Sequence, residues 1–67
     1  MRRVREYSVS HTMCGIRELP SSVFAESALD AIRQLTDEIG WIHHFRNRHG
    51  KATELRLGED ESFVAVP

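Results

Sequence analysis

Ser27-Ala28-Leu29-Asp30-Ala31-Ile32-Arg33-Gln34-Leu35-Thr36-Asp37-Glu38-Ile39-Gly40, followed without a break by Trp41-Ile42-His43-His44-Phe45-Arg46-Asn47-Arg48-His49-Gly50-Lys51, is the stretch on which the fold turns. Its first half carries the signals of a helix. Ser27 is a suitable N-cap, and Asp30 three residues on complements both the capping hydroxyl and the positive end of a helix dipole. Ala28, Leu29, Ala31, Ile32, Leu35 and Ile39 recur at helical spacing, with Asp30, Arg33, Gln34, Asp37 and Glu38 on the other side. Gly40 offers a left-handed residue just past the end. The spacing predicts an amphipathic helix over Ala28 to Ile39.

The second half switches to the period of a strand. A three-residue loop Arg48-His49-Gly50, with Gly50 left-handed, pairs Asn47 with Lys51, Arg46 with Ala52, Phe45 with Thr53 and His44 with Glu54. Trp41, His43, Phe45, Leu55 and Leu57 then share one face, and Ile42, His44, Arg46, Glu54 and Arg56 the other. A two-residue loop at His49-Gly50 sets Phe45 against Glu54 and mixes apolar with charged partners, so the three-residue register is preferred.

Outward from this core, Val4 to His11 reads as a strand on which Tyr7 and Val9 share a face, and Thr12-Met13-Cys14-Gly15 as a turn. A second strand covers Ile16 to Glu26. Pro20 interrupts it, which places it at an edge or at a bulge. Gly58-Glu59-Asp60-Glu61 is a turn before a last strand, Ser62 to Val66, whose facing stays open because Phe63/Ala65 and Val64/Val66 are both apolar. The order is strand, strand, helix, then three strands. Residues 1–67 are expected to form one α+β domain, an antiparallel five-stranded sheet with one helix packed on one face. The other face is left for solvent or for binding.

At 67 residues the chain buries roughly 60% of the surface its unfolded form exposes, and an enclosed substrate pocket of about 300 Å³ is hard to accommodate. No catalysis and no cofactor are expected. The single cysteine, Cys14, rules out an intrachain disulfide and fits a reducing cytoplasm. No run approaches the roughly 20 apolar residues of a membrane span. The net charge of −1 is unevenly spread: +2 over residues 1–20, −3 over 21–40, +3 over 41–51 and −3 beyond. Residues 41–51 hold Arg46, Arg48 and Lys51 with His43, His44 and His49, and no acid.

Each candidate for chemistry has a plainer reading. His43 and His44 are adjacent in a strand and point to opposite faces, so they do not ligate one metal, and no Cys or His pair has structural-zinc spacing. Cys14 near His11 lacks an activating motif and reads as a structural thiol. The basic hairpin could meet phosphates or an acidic protein surface, or could be a solvated tip whose charges suppress edge pairing. No exposed aromatics are expected to interleave with its cations, which weakens recognition of single strands by stacking.

Phe24-Ala25-Glu26-Ser27, then Ala31-Ile32-Arg33, then an aromatic-Val pair, Phe63-Val64, in the last strand, give a layout that resembles small phage-encoded anti-CRISPR proteins with a ββαβββ fold, among them an inhibitor of the type I-F surveillance complex. The resemblance implies a non-enzymatic inhibitor in the cytoplasm of a host bacterium, docking on basic backbone subunits of a CRISPR effector and interfering with target DNA. It implies contacts from basic helix residues, of which Arg33 stands at a matching position. Ile32 departs from the pattern, being basic in the relative, and the hairpin here is richer in His and Arg, which leaves the CRISPR subtype open. The expected contact surface is Arg33 with Ile42, His44, Arg46, Glu54 and Arg56, and Arg48, His49 and Lys51 at the tip. A nucleic-acid-binding or regulatory module using the same hairpin is the alternative, and a dimerising assembly protein a third; the chain acts as monomer or homodimer.

Overall fold

The computed structural model describes residues 3–67. The order of elements is β1 (Arg5–Met13), β2 (Ile16–Arg17), β3 (Ser21–Ala25), α1 (Ala28–Arg33), β4 (Trp41–Asn47), β5 (Gly50–Leu57) and β6 (Glu61–Val66). They form one antiparallel sheet, β2-β1-β6-β5-β4, with β3 also paired to β1, and one short helix on one face. The α+β class and the lone helix agree with the sequence pattern. The sheet has six strands rather than five.

The extra strand comes from Pro20. Thr12 faces Arg17, yet Val9 faces Ser21, so the chain at Glu18-Leu19-Pro20 carries one residue more than the stretch of β1 it runs beside. That is a bulge. It splits the expected second strand into β2 and β3, both lying along one edge of β1, where a missing N–H is tolerated. The turn before β2 is Cys14-Gly15, both at positive φ, and the Cys14 amide donates to the Asp60 carbonyl at 2.7 Å.

The helix starts as expected and stops early. Ser27 is extended and its hydroxyl accepts from the Asp30 amide at 3.1 Å. Ala28, Ala31 and Ile32 are buried, but the helix ends at Arg33, with Gln34 as C-cap donating its side-chain amide to the Phe24 carbonyl. Beyond it the Thr36 hydroxyl accepts from the Glu38 amide, and the Arg33 guanidinium donates to the Glu38 carbonyl. These local bonds replace helix continuation, the threonine hydroxyl competing for a backbone amide as it tends to do. The expected helix to Ile39 is therefore wrong in its second half, and Ile39 is 90% exposed. Gly40 is not a left-handed cap either. A Cβ there would stand 2.1 Å from the Arg56 carbonyl oxygen, so the glycine permits the chain to pass against β5 before β4 begins.

The register of β4 and β5 also differs from expectation. Asn47 faces Gly50, Arg46 faces Lys51, Phe45 faces Ala52, His44 faces Thr53 and Ile42 faces Leu55. The turn is the two residues Arg48-His49, supported by the Asn47 side chain accepting from the His49 amide at 2.9 Å. A slip of one residue moves every β4 side chain to the other face. Ile42, His44 and Arg46 lie on the helix side with Leu55, whereas Trp41, His43 and Phe45 share the open face with Glu54 and Arg56. The last strand resolves with Phe63 and Ala65 inward.

The core holds Tyr7, Val9, Val23, Ala25, Ala28, Ala31, Ile32, Leu55, Phe63 and Ala65. Four of these are alanines. That lets a single-turn-and-a-half helix approach β5 and β6 closely while offering little apolar area in return, and a helix this short is held by packing rather than by its own propensity.

Candidate interaction surface

Outside the core, β4 is the longer of the two strands that bury no residue. It ends the sheet, its one strand neighbour among the described residues is β5, and every residue from Trp41 to Arg46 is exposed. The helix packs chiefly on β5 and β6. Trp41 is 80% exposed, Ile42 38% and Phe45 37%. With Ile39 leading in, a line of apolar side chains follows this edge.

The open face can be read in rows of directly opposed residues. Ser8 faces Val66 and Phe45 faces Ala52; Ser10, Val64, Glu54 and His43 form one full row, and Thr12, Ser62, Arg56 and Trp41 the next. His43 meets Phe45 edge to face, ring centroids 5.8 Å apart. Arg56, itself exposed, lies 3.8 Å from half-buried Glu54 in a long pair that holds it loosely. Arg17 reaches across from β2 to the Ser10 hydroxyl at 3.1 Å. On this face one exposed aromatic, Trp41, stands directly opposite a cation, Arg56.

On the helix side, His44 shares a hydrogen bond with the Thr53 hydroxyl at 2.9 Å. Arg46 and Lys51 are directly opposed. Like charges so placed repel, and among the described residues no carboxylate pairs with Arg46, Arg48 or Lys51. Arg5 adds to the cluster, its guanidinium 3.4 Å from the His49 carbonyl.

The structure thus keeps Ile42, His44, Arg46, Arg48, His49, Lys51, Glu54 and Arg56 on one hairpin, but divides them between two faces. Arg33 is not among them. Its guanidinium donates to the carbonyl of Glu38, a residue that shares a shallow depression with Ile39, Leu57 and Gly58, at the end of the hairpin opposite its turn. Trp41, His43 and Phe45 were placed under the helix by the sequence register. The absence of any acid between Trp41 and Lys51 was the signal that this strand stands apart from the core.

One titratable cluster lies elsewhere. His11 Nδ1 is 2.5 Å from a Glu18 carboxylate oxygen and Nε2 is 2.6 Å from one of Glu61, with the ring stacked on Phe63 at 4.3 Å. Two carboxylates facing both nitrogens require both to donate, so this is an imidazolium. The hydrogen bond donated to Glu61, followed by that donated to Glu18, raises its pKa above 6.5. With both nitrogens engaged, His11 does not serve Cys14 as a base. Ser22 donates to a Glu6 carboxylate in a surface depression beside Tyr7 and Pro67, with no histidine near. Among the described residues no group of His, Cys, Asp and Glu is arranged to hold a metal ion, and no helix is long and apolar enough to cross a membrane.

Comparison with protein-family models, with curated proteins and with solved structures finds no match.

Proposed function

We propose that this chain is a non-enzymatic binding protein whose contact surface is the β4–β5 hairpin. The observation that carries the reading is β4 itself, which presents Trp41, Ile42 and Phe45 to solvent on an edge with no covering element among the described residues. Natural sheets blunt such edges with bulges, prolines, short strands or charge; β4 has no bulge or proline over its seven residues, and its one arginine, Arg46, stands at the turn end, away from Trp41 and Ile42. A regular edge with three large apolar residues exposed is one that meets something.

The resemblance at residues 24–33 and 63–64 directs the first test. The partner proposed is a bacterial CRISPR effector complex in the host cytoplasm, with the chain blocking target DNA binding or interference; the cations of the hairpin call for an acidic stretch of that complex, not the basic backbone subunits that the resemblance implies. Tagged protein is expected to recover a CRISPR effector from lysates of CRISPR-bearing bacteria and to protect a targeted plasmid, and R46E/R48E to lose both. Plasmid loss unaffected by the chain across several subtypes would remove this partner.

A second reading is favoured by the row that sets Trp41 opposite Arg56, next to His43 and Phe45. Bases stack on exposed aromatics while cations track the phosphates. Under it, single-stranded oligonucleotide binds at about 50 mM salt and is released steeply as salt rises.

A further inference from the structure

We infer that β4 receives an extended acidic segment of a partner protein as an added strand, with the partner's acids directed at the helix-side face. This rests on the reading of the hairpin as a binding surface, and it specifies the chemistry of what binds.

Three observations lead to it. The first is the backbone. A two-residue turn is closed by a hydrogen-bonded pair, here Asn47 and Gly50, and in an antiparallel ladder such pairs alternate with pairs whose N–H and C=O point away. Counting back from Asn47, the amides and carbonyls of Arg46, His44 and Ile42 point outward from the edge. Donors and acceptors alternating along a strand match another polypeptide. A phosphodiester backbone offers acceptors only, so it leaves the outward carbonyls unanswered.

The second observation is charge. The directly opposed Arg46 and Lys51, with Arg48 and Arg5 at the same end, have no described carboxylate partner. A residue added opposite Arg46 falls on the same face as both cations, and a carboxylate there relieves the repulsion the fold leaves standing. A second copy of this chain does not supply it, because none of the strands at its sheet edges, β2, β3 and β4, holds an acid. The third is side-chain alternation. The added residues that alternate with the acids fall on the open face beside Phe45 and Trp41, and apolar side chains there cover exposed ring surface. The partner segment therefore alternates acidic and apolar residues.

The probe is a capped peptide of alternating valine and glutamate as long as β4, and the readout is the fluorescence of Trp41, the one tryptophan. A saturable blue shift is expected, weakened about tenfold or more by R46E, the usual scale for reversing a close charge pair. Methylating the peptide nitrogens that face β4 is expected to abolish it, and methylating the alternate set to leave it. H44P, which removes an outward amide an edge strand can spare, is expected to abolish it with the sheet intact by circular dichroism. If the proline variant unfolds, the methylated peptides still decide.

An equal response to a valine-lysine peptide overturns the inference. So does indifference to methylation of either set, a shift produced by raising protein concentration alone, or a stronger shift with oligothymidylate. Should the peptide fail while the chain recovers its effector and R46E/R48E does not, the docking mode falls and the binding surface stands. If both measurements fail, the hairpin reading falls with it.

Discussion

At the scale of single residues, His11 and Gly40 carry the sharpest consequences. The folded pKa of His11 is raised above its unfolded value near 6.5, so its contribution to stability is fully present below that value and is lost as pH rises through the folded one. Thermal unfolding between pH 6 and pH 9 is expected to fall in midpoint on the alkaline side, and His11→Gln to flatten the profile. Gly40→Ala forces a Cβ onto the Arg56 carbonyl. A loss of about 1 to 3 kcal/mol or more, the cost of overpacking against backbone that cannot retreat, is expected in urea unfolding. Neither role was legible beforehand. Gly40 after a helical run looks like any C-cap, and the two partners of His11 lie 7 and 50 residues away, where no local pattern reaches.

At the scale of elements, the start of the helix was legible and its length was not. Ser27 and Asp30 act locally and their geometry followed. Leu35 and Ile39 have the right spacing, but whether they are buried depends on where the sheet lies, and it lies under Ala31 and Ile32 instead. Ile32→Ala is therefore expected to cost about 2 to 5 kcal/mol, and Ile39→Ser close to nothing, when both are compared by chemical denaturation. An equal cost at the two sites would show a helix that continues. The hairpin went astray for a related reason. The register was chosen by keeping Phe45 away from charge on the expectation that one face of β4 lies under the helix, and β4 buries no residue on either face. On an unburied strand the apolar pattern loses its authority over register, and the Asx-type turn at Asn47 decides it.

At the scale of the whole molecule, the antiparallel sheet with one covered face was legible because length, strand period and a single helical run allow little else. Strand order was not, since it depends on pairings between distant segments. The arrangement concentrates stability at one side. β1, β6 and β5 sit under the helix, and β4 hangs from β5 beyond it. Amide hydrogen exchange is expected to be fastest in β4 and slowest in β1, β5 and β6. A bound partner strand is expected to slow Ile42, His44 and Arg46 selectively, because theirs are the outward amides.

The pairing of β1 with β6 has a further consequence for how the chain comes into being. The strand formed at Arg5–Met13 waits for Glu61–Val66 before its inner edge is filled, so the centre of the sheet is assembled from segments about as far apart as the chain permits. Closing that loop makes folding slow for so small a protein, and during synthesis the first strand travels unpaired on that side until the last has left the ribosome. Until then the molecule has neither its core nor β6, the strand that ties the hairpin to the rest of the sheet. Nascent chains stalled before residue 61 are accordingly expected to be protease-sensitive throughout, including at the two segments already able to pair with one another, β4 and β5.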